Sequence, residues 1–95
     1  MALTDELRSR IQETLDTNRV VVYMKGNKMF PRCGFSAAVV GALDEIGVDY
    51  ETVDVLSDPD IRQGIKDFTE WPTIPQLYID QEFVGGSDII KQMVA

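Results

Sequence analysis

Apolar residues recur at Leu3, Leu7, Ile11 and Leu15, a spacing of four that lines one stripe of a helix. Thr4 stands where an N-cap belongs, and Asp5 and Glu6 suit the positive end of the helix dipole. The pattern breaks at Asn18 and Arg19. Val20 to Met24 then reads as a short buried strand, being β-branched, aromatic and too brief for a helix. Gly26 to Pro31 reads as a loop. A second amphipathic helix is expected from about Gly34 to Ile46, burying Val39, Val40, Leu43 and Ile46, with Gly47 as its C-terminal stop.

Val48 to Val55 predicts the next strand, and Ser57-Asp58-Pro59 the start of a third helix. Asp58 caps it, and Pro59 takes the first turn, where its missing N–H costs nothing. Ile61, Ile65 and Phe68 form its inner face. Trp71-Pro72-Thr73-Ile74-Pro75 cannot be helical and leads into two short strands, Gln76 to Ile79 and Glu82 to Val84. The two residues between them, Asp80-Gln81, make these an antiparallel hairpin. Gly85-Gly86 opens a last helix from about Ser87 to Met93. The order α-β-α-β-α-β-β-α puts a parallel βαβ pair beside a hairpin, hence an α/β fold with a four-strand mixed sheet flanked by helices. With 95 residues and no repeat, linker or low-complexity tract, a single domain over residues 1–95 is expected.

Composition narrows the function. The chain is 44% hydrophobic and 26% charged, which excludes collagen, coiled coil and low-complexity disorder. Nine Lys and Arg against 16 Asp and Glu give −7 at pH 7, so nucleic acid and an anionic membrane leaflet are not expected partners. The longest apolar run, Val20 to Met24, is far too short to span a bilayer, and Asp5, Glu6 and Glu13 do not suit a signal or transit peptide. The absence of histidine removes Ser-His and Cys-His catalysis and His zinc ligands. With one cysteine, Cys33, no intramolecular disulfide forms, and a reducing compartment is the natural setting: a bacterial-type cytoplasm, or an organelle for a mature chain.

Cys33 follows a strand and loop and directly precedes a helix. There the unpaired N–H groups and the dipole favour a thiolate, and Lys25 at the end of the strand adds positive charge. The alternative is an inert buried thiol. A C-x-x-C spacing is nearly present, but Ser36 stands in the last place, so no resolving thiol follows. Ser36 reads as a first-turn residue satisfying helix N–H groups. Pro75 is a candidate cis peptide whose loop would offer backbone to an extended ligand. Gly85-Gly86-Ser87-Asp88 is either a carboxylate nest or an ordinary capped turn. Arg62 and Lys66, four apart on the third helix, are either a solvated face or a carboxylate clamp.

Taken together, Cys33-Gly34-Phe35-Ser36, Met24-Lys25-Gly26 before it, and Trp71-Pro72-Thr73-Ile74-Pro75-Gln76 and Gly85-Gly86-Ser87-Asp88 after it resemble the monothiol glutaredoxins of the CGFS type. The likeness runs from about Leu7 to Met93. It implies a thioredoxin-like (glutaredoxin) fold with Pro75 cis, and a glutathione groove. Cys33 would meet the glutathione sulfur, and Thr73-Ile74 would pair with its cysteinyl backbone. Lys25 and Arg62, with Lys66, would hold its glycine carboxylate. Gly86, Ser87 and Asp88 would receive the γ-glutamyl end. The family further implies a labile [2Fe–2S] cluster bridging a homodimer, transfer to apo-acceptor proteins, and a BolA-like partner. One thiol per chain agrees with a cluster completed by two glutathione thiols, since such clusters commonly take four thiolates. A glutathione-dependent monothiol oxidoreductase and a regulatory adaptor are the competing functions. The chain departs from many relatives in carrying Ser87 in place of a second Cys, Gln81 where the turn often has Gly, and Ala95 where relatives usually continue.

Overall fold

The structure is a computed structural model that describes residues 3–86. Its elements are α1 (Asp5–Thr17), β1 (Val20–Met24), α2 (Gly34–Ile46), β2 (Glu51–Asp54), α3 (Pro59–Thr69), β3 (Gln76–Ile79) and β4 (Glu82–Gly85). The expected helix from Ser87 to Met93 lies outside the described residues.

The strands form one sheet in the order β2-β1-β3-β4. β1 pairs with β2 in parallel, Val21 opposite Glu51 and Met24 opposite Asp54, and antiparallel with β3, Val20 opposite Ile79 and Tyr23 opposite Gln76. β3 and β4 form the expected hairpin, with a register shift between Leu77 and Tyr78. Asp80 and Gln81 both take positive φ, 50° and 70°. That backbone matches the twist of the hairpin but sits in the region a side chain disfavours.

β1 is central, and all five of its residues are buried. Alternation sends Val20, Val22 and Met24 to one face, against Val39, Val40, Ala42 and Leu43 of α2. Val21 and Tyr23 face Ile11 and Leu15 of α1 and Ile61 and Ile65 of α3. Both faces being covered, the strand reads as a continuous apolar run. α1 and α3 begin with their expected caps: Thr4 Oγ1 accepts from Leu7 N–H at 3.1 Å, and Asp58 Oδ1 from Ile61 N–H at 3.2 Å. Gly47, with φ 83°, closes α2 by donating its N–H to Leu43 O at 3.0 Å.

Two expectations are corrected. Ile46 is 44% exposed, because α2 is already in its last turn there and leaves the sheet behind. The second strand covers Glu51–Asp54 only, because parallel pairing begins opposite Val21; Val48, 39% exposed, lies before it. Val55 is past the strand yet donates its N–H to Met24 O at 2.9 Å, which keeps it buried.

Candidate functional site

The register fixes which loops meet. Met24 lies opposite Asp54 and Tyr23 opposite Gln76, so the segments after β1, after β2 and before β3 all gather at one end of the sheet. Gly85 pairs with Leu77, which brings Gly86 to the same end. A Cβ on Gly86 would lie 3.3 Å from Pro75 O.

Between β1 and α2 the chain folds into a tight hydrogen-bonded loop. Arg32 N–H donates to Lys25 O at 2.8 Å, and Asn27 N–H to Phe30 O at 3.3 Å. Asn27 Oδ1 accepts from the N–H groups of Met29 and Phe30 at 3.0 and 2.9 Å. Gly26 sits at φ 88°, and a Cβ there would run into Phe30 O and lie 2.8 Å from Arg32 N, so a side chain is excluded by space as well as by backbone. Asp54 Oδ1 accepts from Gly26 N–H at 2.9 Å, tying the loop to β2. Lys28 Nζ donates to Tyr50 O and stands 4.7 Å from the Tyr50 ring centroid.

This loop delivers Cys33 as the N-cap of α2, in extended backbone and half-buried. The sulfur does the capping: Ser36 N–H donates to Sγ at 3.3 Å. Ser36 Oγ lies 3.2 Å from Sγ and accepts from Lys25 N–H at 3.1 Å. The expectation for Ser36 is therefore corrected. It does not cap helix N–H groups; fully buried, it joins the end of β1 to the thiol, its oxygen accepting from Lys25 N–H and from the Cys33 S–H, and its own proton is free to turn to the sulfur once that is a thiolate. Burial pushes the Cys33 thiol up, but the Ser36 hydroxyl, the N–H groups of Ser36 and Phe35 and the Lys25 charge outweigh it, so the value falls below that of an ordinary thiol.

The segment Trp71–Pro75 forms the next wall. Its Ile74–Pro75 peptide is cis, as expected. Gln76, fully buried at the start of β3, holds the segment: its Nε2 donates to Trp71 O at 3.1 Å and Thr73 O at 3.2 Å. Its Oε1 accepts from the hydroxyls of Thr69 at 3.2 Å and Tyr78 at 2.9 Å. Sequence reasoning took Gln76 only as the strand's first residue and as part of a motif. The available signal was an amide opening an otherwise apolar strand, which must find partners when buried. Thr73 is exposed, and Ile74 packs partly into the core against α1 and α3.

Arg62 and Lys66 are both half-buried on α3. Lys66 borders a shallow depression with Trp71 and Pro72. The structure places Lys25 at the thiol but draws neither Arg62 nor Lys66 to it through any hydrogen bond among the described residues. Arg10 pairs with Asp58 and Arg19 with Asp80, whereas Lys25, Arg32, Arg62 and Lys66 form no ion pair with a described residue. Ser87 and Asp88, the expected receivers of the γ-glutamyl end, lie outside the described residues. Among the described residues no group of three or more His, Cys, Asp or Glu is gathered to hold a metal, so Cys33 offers one soft donor and no more. No helix among them is long and apolar enough to cross a membrane.

Comparison with known proteins agrees with this geometry. The family model described as Glutaredoxin matches residues 20–84. An uncharacterized monothiol glutaredoxin (ycf64-like) of Synechocystis is 50% identical over 91 residues, covering 96% of this chain and 85% of that protein. The mitochondrial monothiol glutaredoxin-5 of Saccharomyces cerevisiae is 49% identical over 96 residues; the match covers 98% of this chain and 64% of the yeast protein's length. The solution structure of reduced poplar apo GrxS14 superposes with a TM-score of 0.84 at 45% identity, over 99% of this chain and 86% of that one. A buckwheat glutaredoxin–glutathione complex gives 0.79 at 25% identity, over 94% and 83%.

Proposed function

This chain belongs to the glutaredoxin family as a monothiol member, and we propose that it binds glutathione against Cys33 and carries a labile [2Fe–2S] cluster, bridged between two copies, to apo-acceptor proteins. The carrying observation is the state of Cys33: a half-buried thiol held toward thiolate by Ser36 and Lys25, with no second thiol in the chain to close on it. A thiolate is the form that ligates iron and attacks disulfides.

In this reading the tripeptide lies along the end of the sheet. Its cysteinyl backbone pairs with Thr73 and Ile74 beside the cis Pro75, and its sulfur meets Cys33. Lys25 and Arg62, backed by Lys66, take the glycine carboxylate; three cations without described ion partners suit an anion. Gly86, with Ser87 and Asp88, takes the γ-glutamyl end. The cluster is cargo. One soft donor per chain fits a set completed by the partner copy's thiolate and two glutathione thiols. Two diffusible ligands make release easier than four protein thiolates would. The same residues 1–95 would act as one domain in a reducing compartment, bacterial or organellar, with a BolA-like protein as a further partner.

The lowered Cys33 value also favours a second activity. The thiolate attacks the glutathione sulfur of a mixed disulfide, releasing the substrate thiolate and leaving glutathione on Cys33. A second glutathione thiolate then attacks that sulfur, giving oxidised glutathione and restoring Cys33. Cluster transfer to an apo-acceptor, set beside turnover of a glutathionylated substrate, decides between carrier and oxidoreductase. Partner binding that persists in Cys33→Ser marks a cluster-independent adaptor. Cys33→Ser is expected to fold and to assemble no cluster; normal cluster in that variant contradicts the proposal.

A further inference from the structure

Tyr23 lies on the central strand with 1% of its surface exposed, and its hydroxyl has no hydrogen-bond partner among the described residues. A buried phenol left without a partner is costly. Tyr78, packed edge-on against it, meets the same demand by donating to Gln76 Oε1 at 2.9 Å. Thr14 is close enough to Tyr23 to ease its ionisation, but the Thr14 proton goes to Arg10 O at 3.1 Å, and no bond closes between the two hydroxyls. Beside this phenol there is space. Tyr23 lines a cleft of about 310 Å³ together with residues of α1, β2 and the start of α3. That volume stands at the lower end of small-molecule sites, about 300–1,000 Å³, and far exceeds the roughly 30 Å³ that one water takes.

The charges of the lining are already engaged with one another. Arg10 Nη2 donates to Asp58 Oδ2 at 2.8 Å, and Asp58 Oδ1 accepts from Ile61 N–H. Asp54 Oδ1 accepts from the N–H groups of Gly26 and Leu56, both at 2.9 Å. An anion entering here meets two carboxylates and a guanidinium that is already paired, with Glu6 and Asp60 adding to the negative field. A cation meets that guanidinium. Hydroxyl chemistry is what stays open. Thr14 and Ser57 spend their protons on Arg10 O and on Asp54 O, at 3.1 and 2.9 Å, so their oxygens remain as acceptors. The Tyr23 hydroxyl can still donate and accept, and β2, an edge strand, has outer backbone groups that the sheet does not pair. Val53 and Ile61 add an aliphatic wall for carbon-bound hydrogens.

We propose that this cleft binds a small neutral polyol, whose hydroxyls bond Tyr23, Thr14 and Ser57. The cleft lies on the α1–α3 face of the sheet, whereas Cys33 caps α2, which packs on the other face. The site therefore stands apart from the thiol and does not rest on the glutathione reading.

The test follows the amide resonances of the full chain, without glutathione, through titrations with glycerol, ribitol and myo-inositol. Putrescine and inorganic phosphate at matched ionic strength serve as the cationic and anionic controls. At least one polyol is expected to give saturable shifts centred on residues 10–14 and 52–58, and the two controls are not. Tyr23→Phe removes only the unpartnered hydroxyl and is expected to weaken that binding about tenfold, the loss of one hydrogen bond. Ser57→Ala, an exposed change on the opposite wall, is expected to weaken it about threefold and decides the matter if Tyr23→Phe does not fold. No saturable shift with any of the three polyols means that water alone fills the cleft, and overturns the proposal. So does a shift centred elsewhere, an equal response to putrescine or phosphate, or unchanged affinity in a folded Tyr23→Phe.

Discussion

Ser36 carries more of the site than its position suggests. Its hydroxyl accepts from Lys25 N–H and faces Cys33 Sγ, so one buried oxygen couples the end of β1 to the thiol. In Ser36→Ala that donor is lost. The Cys33 titration midpoint is expected to rise and alkylation at pH 7 to slow, read from the pH profile of iodoacetamide reaction; an unchanged profile contradicts the role. Because the folded value of Cys33 lies below its unfolded one, its contribution to stability is present above the unfolded value. It fades as pH falls through the folded one. Cys33 itself was legible in sequence, since a thiol before a helix in a Pro- and Gly-flanked loop has one natural place. Ser36's partner was not, because Lys25 is eleven residues away and meets it only once β1 and α2 pack. Gln76 escaped although its partners lie within seven residues, because two of its bonds run to carbonyls of the Trp71–Pro75 segment, whose path no residue pattern fixes.

At the scale of elements, α3 is fixed at its start by Asp58, which caps Ile61 N–H and accepts from Arg10 Nη2 at 2.8 Å. Asp58→Ala is expected to cost about 1–2 kcal/mol, lowering the denaturant midpoint, and Asp58→Asn less, since an amide oxygen still caps. The Arg10 guanidinium holds the Asp58 carboxyl below its usual range. Its stabilising effect is thus present at neutral pH and lost as pH falls through that lowered value. In the β3–β4 hairpin, Gln81 at φ 70° carries strain that glycine would not. Gln81→Gly is expected to raise stability by about 0.5–1 kcal/mol; a loss instead would mean the weak Gln12 contact at 3.4 Å matters more. The caps of α1 and α3, the hairpin turn and the burial of β1 were readable because each is set by local residue type, whereas the capping of α2 by Cys33 was not read. The length of β2 was not, because pairing depends on where β1 begins, and Ile46 was misplaced because periodicity does not say where a helix leaves the sheet.

For the molecule as a whole, both core layers enclose tyrosines. Burial pushes Tyr23 up to about 12 and raises Tyr78 further. Tyr50, whose hydroxyl donates to Asp44, also stands at about 12, through burial first and that carboxylate second. Values raised in the folded state give stability that is full below the unfolded value of about 10 and drains as pH rises through the folded ones. Phenolate absorbance is therefore expected to appear late and together with loss of far-ultraviolet dichroism; early ionisation in a folded chain contradicts this burial. The single thiol, meanwhile, leaves the ligand set of any cluster incomplete within one chain. The most direct test of the carrier reading is anaerobic reconstitution with iron and sulfide, with and without glutathione, followed by visible spectroscopy and size exclusion. The expected result is a chromophore that forms only with glutathione, elutes as a dimer and disappears in Cys33→Ser. A colourless monomer in the presence of glutathione, or a cluster assembled equally well without it, contradicts the account.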